Sequence, residues 1–406
     1  MLQKISAEME INMKVRVPHY YEQFHCIASK CKDNCCVGGW EIDIDDDTYE
    51  YYQQIPGEFG DKLRASIMKT DAYCFKLVDG HCPFLDDHKL CGLYKEVGEE
   101  HLGVVCAEFP RFTEYYGNVK EKGIGLACEE AERIIFSDRD VFSMVEMEDS
   151  EGCEEDSEYD SELGRQLFAA RDAAFLLLED QSLSIHEKLI VLLSMGADIQ
   201  ELINHNQVND IKNLITRYTS DHGDRCLQEL HDAYEEDSYP NISVKDGIRS
   251  ILYAYEELET LNPEWTNALN HIIEIFHNDQ MDDNAYSILA SEFYNQLGER
   301  SYEYKNLLEY FVFRYFMKAA YDHDVFGKIQ LMVTNFLVIK EMDIDAWLTH
   351  NKTFSFENRI DTVHIFSREV EYSEDNLEIL AEEFIFDDIF KKDQLIALLW
   401  IDSASE

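Results

Sequence analysis

The sequence predicts a mainly α-helical protein in which a small, irregular α+β cysteine-rich domain precedes an all-helical domain. Three observations predict it. Nine of the eleven cysteines lie at or before residue 128. Beyond residue 163, apolar residues recur at three- and four-residue steps nearly everywhere. Only six prolines and eighteen glycines interrupt 406 residues, which favours long regular elements. The division that follows is a cysteine-rich, metal- or cluster-binding domain over 1–140, an acidic linker over 141–162 and a helical domain over 163–406.

In the front region, "YCFKLV" alternates as a strand does and "WEIDID" does the same. "DDTYEYYQQI" reads as a capped helix, and "GH" and "DDH" are the turn signals between elements. Residues 146–162 carry ten acidic side chains and no basic one, so the stretch repels itself and is expected as a solvated linker.

Behind it, "SIHEKLIVLLSM" carries a capping box, Ser184 at the cap and Glu187 three residues later. "NPEWTNALNHIIEIF" starts with Asn262 as cap and Pro263 at the first helical position. Its Trp265, Leu269, Ile272, Ile273 and Phe276 then form one face. The richest apolar stretch spans residues 304–324. There Leu308, Phe311, Val312, Tyr315, Phe316 and Ala319 make a stripe that Phe313 falls off, and a helix so apolar is expected at the centre of a bundle. Such stripes are read as core rather than as a cofactor site.

Charge excludes partners. Lys and Arg number 35 against 83 Asp and Glu, a net −48, so nucleic acid and anionic membranes are poor partners because phosphate binding needs cations. A lysine-rich protein surface suits the field better. No run of about 18 apolar residues occurs, which argues against a membrane-spanning helix. The opening "MLQKISAEMEINMKVRVPHYY" lacks the apolar core of an export signal. A soluble, cytosolic protein is the expectation.

Cysteine placement carries the chemistry. The thiols fall in "CIASKCKDNCC" and "CPFLDDHKLCGLYKEVGEEHLGVVC", with Cys128 as a late addition. In a reducing compartment such clustering points to metal ligands before disulfides. The gaps of four, three and zero residues, then eight and fourteen, lack the paired C-x2-C of a zinc ribbon. Irregular gaps and more than four thiols favour an iron–sulfur cluster, with zinc as the alternative. The C-x3-C-x2-C loop of radical S-adenosylmethionine enzymes is absent, since Cys31 and Cys35 are followed by Gly38.

The blocks "FHCIASKCKDNCCVGGWEIDIDDDTYEYY", "CPFLDDHKLCGLYKEVGEEHLGVVCAEFPR" and "LACEEAER" resemble the flagellin lysine-N-methylase family. So do "NLLEYFVFRYFMKA" and "FSREVEYSEDNLEIL" further on. The resemblance implies methyl transfer from S-adenosylmethionine to flagellin lysines, with a four-iron, four-sulfur centre in the N-terminal domain. It makes Cys26, Cys31, Cys35, Cys36, Cys82, Cys91, Cys106 and Cys128 the candidate ligands, four per cluster. Ser367, Arg368, Glu369, Glu371 and Asn376 fall on its "SREVEYSEDN" segment, where Tyr372 replaces the family's more frequent His.

The reaction itself sets requirements. A lysine amine attacks a methyl group only when neutral, and its free pKa is ~10.4. A base or a desolvated site must therefore remove the proton. Arg368, Glu369 and Glu371 are the catalytic candidates, and Arg111 is a candidate for pinning a carboxylate of the methyl donor. The site is expected where the two domains meet. The alternative is a non-catalytic iron–sulfur or zinc protein, acting in redox chemistry or docking a basic partner through its acidic helices.

Overall fold

The computed structural model describes residues 13–37, 42–70, 72–147, 159–219, 223–235, 239–276 and 281–403. Its strands are β1 (Lys14–Pro18), β2 (Asp43–Ile44), β3 (Ile67–Lys69), β4 (Tyr73–Phe75), β5 (Arg111–Tyr116), β6 (Val119–Ile124) and β7 (Met144–Met147). The first helices are α1 (Asp46–Gln54), α2 (Gly57–Ser66), α3 (Gly92–Val97), α4 (Val104–Glu108) and α5 (Glu129–Ser137). The chain packs as two compact units. The smaller is Glu22–Phe112 with Ile124–Ile134, and the larger holds the chain up to Tyr21, Thr113–Gly123 and Ile135–Glu406.

The smaller unit is α+β, as the alternating stretches predict. Strands β2, β4 and β3 form an antiparallel sheet with Asp43 opposite Cys74 and Ile67 opposite Phe75. The acidic stretch after β2 becomes α1 because the Asp45 side chain accepts the Thr48 N–H at 2.9 Å. The unit's core is short of apolar mass. Ile42, Ile44, Tyr52, Leu63, Ile67, Phe75, Phe84 and Leu93 gather with Cys82, and Cys36, Cys91 and Cys106 pack against them. So small a core, served by elements of two to ten residues, is the kind that a metal centre completes.

The larger unit opens with a four-stranded sheet in the order β5-β6-β1-β7, β1 parallel to β6 and antiparallel to β7. Among the described residues, the elements after it are helical: α6 (Ser161–Leu178), α7 (Ile185–Asn204), α8 (Ile211–Leu214), α9 (Gly223–Glu235), α10 (Val244–Glu256), α11 (Pro263–Phe276), α12 (Asp283–Leu297), α13 (Tyr302–Tyr315), α14 (Ala319–Asp322), α15 (Val325–Thr349), α16 (Phe356–Val370), α17 (Glu374–Phe386) and α18 (Lys392–Ser403). The fold class read from the sequence is therefore the observed one. The expected capping box closes α7, with Ser184 Oγ accepting the Glu187 N–H at 3.2 Å and Glu187 Oε2 accepting the Ser184 N–H at 2.7 Å. Of the acidic linker expected over 141–162, residues 148–158 lie outside the described residues. Its first residues include β7, and Asp160 caps α6 by accepting from Glu162 and Leu163.

The 25-residue α15 is the axis of this unit and packs against α7, α13, α16, α10 and α11. The apolar stretch over 304–324 is less continuous than a single helix. It runs as α13, tightens into a 3-10 turn at Phe316–Lys318 and resumes as α14, which His323 ends with φ +59°. Phe313, off the predicted stripe, is buried too, because α13 is enclosed on every side. No helix among the described residues is long and apolar enough to cross a membrane.

Candidate metal centre

The eight candidate cysteines all fall in the smaller unit, with Cys26, Cys31, Cys35, Cys36 and Cys82 on loops, Cys91 at the cap of α3, Cys106 within α4 and Cys128 just before α5. Backbone bonds fasten the loops together. The Cys82 N–H donates to the Cys36 carbonyl at 2.9 Å, and Leu85 and Cys91 form an isolated bridge. Asp86 shapes the turn before Cys91 by accepting the His88 and Leu90 N–H groups at 2.8 and 2.9 Å. Gly92 allows the chain to close there. Its N–H donates to the Phe84 carbonyl at 2.7 Å, and a Cβ would lie 2.9 Å from that same oxygen.

Backbone strain concentrates at these loops. Among the described non-glycine residues of this unit, those with left-handed φ are Ala28 (+50°), Asp79 (+51°) and Lys89 (+58°). Each sits two or three residues from Cys26, Cys82 or Cys91. Strain of this kind, on the order of 1–3 kcal/mol per residue, persists where the surroundings demand a particular geometry.

The ten described cysteines are all free thiols. Around Cys36, the thiols of Cys35, Cys82 and Cys91 approach closely enough to share its proton. Cys36 keeps that proton as the common donor, so its own pKa rises, while hydrogen bonding from Cys36 lowers Cys35, Cys82 and Cys91, the last to about 6. Cys106 stands beside them, pushed up to about 12 by burial and then by Cys82, Cys91 and Cys35.

Backbone amides also point at the sulfurs. Cys91 Sγ accepts from Tyr94 at 3.4 Å and from Leu93, and Cys82 accepts from Phe84 and Leu85. Cys26 Sγ accepts from Ala28 at 3.4 Å, and Cys128 from Glu130 and Ala131. Amide donors favour the thiolate, the form that binds metal.

The donor set is soft and all-sulfur around Cys36. A zinc tetrahedron would hold its sulfurs ~3.8 Å apart, whereas no three described thiols lie mutually within 4.8 Å. The described group that does meet the distance, His19 with Asp138 and Asp140, is built on a His19–Asp138 hydrogen bond instead. Ser143 N–H donates to His19 Nδ1 at 3.4 Å, so Nε2 carries the proton and faces Asp138 Oδ2 at 2.7 Å.

The C-terminal candidates lie in the larger unit and do not form one constellation. Both oxygens of the buried Glu369 accept backbone N–H groups, from Leu261 at 2.9 Å and Asn262 at 2.8 Å. Glu371, also buried, accepts from Tyr315 at 2.8 Å and Ser367 at 2.6 Å, and burial raises its pKa. Arg368 is half-buried, and burial lowers its pKa. Asn376 bonds the backbone of Glu259 and Glu369, while Tyr372 is exposed. In the smaller unit, Arg111 lies over the Phe24 ring, 4.9 Å from its centroid.

Two residues escaped sequence reasoning. Glu129 accepts the Lys32 N–H at 2.8 Å, and the acidic pair directly after Cys128 was its signal. Glu309 is buried in α13, its pKa pushed up to about 8 by burial although Lys305 lies 3.4 Å away. A lone acid inside the apolar run "LLEYFVF" marked it.

A family model described as the FliB lysine N-methylase C-terminal domain matches residues 171–398. The Lysine-N-methylases of Salmonella typhimurium and Salmonella choleraesuis are each 29% identical over 140 residues, 32% of this chain and 35% of theirs. The match thus spans about a third of the length of those two relatives. The flagellar biosynthetic protein FliU of Salmonella muenchen is 29% identical over 144 residues, 32% of this chain and 82% of that protein. No solved structure matches.

Proposed function

The chain belongs to the FliB lysine N-methylase family, and from that premise we propose that it methylates lysine side chains of flagellin, with S-adenosylmethionine as donor and an iron–sulfur cluster in its smaller unit. The observation that carries the cluster is the convergence of Cys35, Cys82 and Cys91 on Cys36, with Cys106 alongside. These thiols would hold it. When bound, such a cluster supplies either a rigid core for a small unit or one-electron chemistry.

Methyl transfer requires the lysine nitrogen lone pair to form the new N–C bond as the donor's C–S bond breaks. The sulfonium keeps that electron pair and leaves as a neutral thioether, and one proton must depart from the nitrogen. The net charge of −48 attracts a lysine-rich partner but also favours the ammonium form. A local base or desolvation has to reverse that preference at the reacting amine.

Within this reading the proton acceptor is Glu371, whose oxygens accept from the rotatable hydroxyls of Tyr315 and Ser367, rather than Glu369, whose oxygens are fixed by backbone amides. Burial raises the Glu371 pKa, which makes it a stronger base than a surface carboxylate. Arg368 would orient substrate. The test is anaerobic purification followed by incubation with flagellin and methyl-labelled S-adenosylmethionine. Label on lysine supports the reading. No label from protein that holds its metal, with both substrates present, contradicts it.

A further inference from the structure

Helix α17 turns one side to the protein and the other to solvent. Its buried residues are Asn376, Leu380 and Phe384, and that side is firmly seated. Ser373 Oγ accepts the Asn376 N–H at 3.1 Å, while Asn376 Nδ2 donates to the carbonyls of Glu259 and Glu369 at 3.0 and 2.9 Å. With ~3.6 residues per turn, the opposite side carries Glu374, Glu378 and Glu382 and then, in the last turn, Ile385 and Phe386. All five are exposed.

Two features of this outer face are unfavourable in isolation. Glu374, Glu378 and Glu382 follow one another at four-residue steps, which stacks like charges along the helix. None of the three enters an ion pair among the described residues, and the chain from Glu369 to Phe390 contains no Lys or Arg. Ile385 and Phe386 are 74% and 80% exposed, the highest values among the described large apolar residues. A single exposed apolar side chain is ordinary, whereas an adjacent pair closing an acidic strip marks a contact surface. Asp387 and Asp388, both exposed, border the pair on its far side.

One kind of occupant relieves both features. We infer that the outer face of α17 docks a cationic amphipathic segment of a partner protein. Its lysines or arginines would lie along Glu374, Glu378 and Glu382, and its apolar residues would cover Ile385 and Phe386. A second copy of this chain fits poorly, because at a net charge of −48 it brings the same sign to the contact. An anionic membrane meets the same repulsion.

The face begins three residues after Glu371, so a segment lying along α17 runs up to the carboxylate assigned above as proton acceptor. The inference rests on the methylase reading only in taking flagellin as the partner. The charge and shape of the face belong to α17 itself.

The test is binding by the full-length protein, without methyl donor, of two labelled probes. One is flagellin monomer, and the other is a synthetic helical peptide with lysine at every fourth position beside leucines. Fluorescence anisotropy at low and high salt reads both. Wild type should bind each probe, more weakly as salt rises. I385S/F386S and, separately, E378K/E382K should each weaken both by at least ~10-fold. Both variants should keep the wild-type thermal midpoint, since all four side chains are exposed.

Variants that bind the probes as tightly as wild type overturn the proposal, and so does wild type that binds neither probe. Peptide held through this face by a protein that ignores flagellin upholds the docking surface and contradicts the flagellin reading instead. Self-association of wild type that I385S/F386S abolishes, with flagellin binding unchanged, makes the face a contact between copies and overturns the proposal.

Discussion

Glu369 Oε2 accepts the Asn262 N–H at 2.8 Å, and its Oε1 accepts that of Leu261 at 2.9 Å. One carboxylate of α16 thus seats the entry to α11, where Asn262 and Pro263 begin the helix. Glu369→Ala should leave two amides unsatisfied and cost about 1–3 kcal/mol in urea unfolding. If capping is its whole task, methylation per folded molecule stays at the wild-type level. A large loss of rate without loss of stability would return Glu369 to the chemistry.

Ala28 occupies a left-handed conformation that its Cβ resists by ~1–2 kcal/mol. Ala28→Gly should relieve that strain and stabilise the smaller unit by up to ~1 kcal/mol, partly offset by glycine's greater freedom when unfolded. Ala28→Val should destabilise it further. Thermal unfolding of the two variants, expected to bracket the wild type, checks the backbone of the Cys26–Cys31 loop.

Glu309 makes stability depend on pH. Burial lifts its folded pKa to about 8, above the ordinary value of 4.5. The folded state therefore prefers the protonated form, and the stability this provides is full below the unfolded pKa. It is lost as pH rises through about 8. Glu309→Gln mimics the protonated acid throughout, so it should gain on wild type between those limits, by about 2–4 kcal/mol at the alkaline end. Unfolding midpoints of both proteins across that window give the difference, and parallel curves would contradict it.

Lys340 is fully buried between Glu341, 3.1 Å away, and Asp402, which also faces His186 at 3.0 Å. Burial alone would raise the Asp402 carboxyl, but Lys340 and His186 outweigh it and hold it below the usual range. Its contribution is present above the unfolded carboxylate pKa and disappears as pH falls through the folded one. Asp402→Ala should cost about 3–5 kcal/mol by stranding the lysine, and Lys340→Met in the same chain should recover much of that. Denaturant titration of the single and double variants decides it.

What the sequence disclosed follows from the range of each interaction. The capping box of Ser184 and Glu187 is complete within four residues, so it could be read directly. The cysteine-rich front and the helical remainder were equally plain, because spacing and periodicity are local. The contact of Lys32 with Glu129 spans 97 positions, and the pairing of β1 beside β6 joins Lys14 to Val119. No local pattern encodes either. Nor did spacing show that Cys36 packs with the core while Cys35 does not, since neighbouring positions look alike until the chain turns. The buried charges of α15 were visible only as "KEMDID" within an apolar run, and their partners come from α12, α13, α16 and α18.

The most direct measurement is mass spectrometry of flagellin incubated with the anaerobically purified protein and methyl-labelled S-adenosylmethionine, beside a Cys82→Ser/Cys91→Ser variant. Labelled methyl groups should appear on flagellin lysines with wild type, which should also carry a visible cluster chromophore that the variant lacks. Unmodified flagellin from wild type with a full metal complement would contradict the assignment of lysine methylation to this chain.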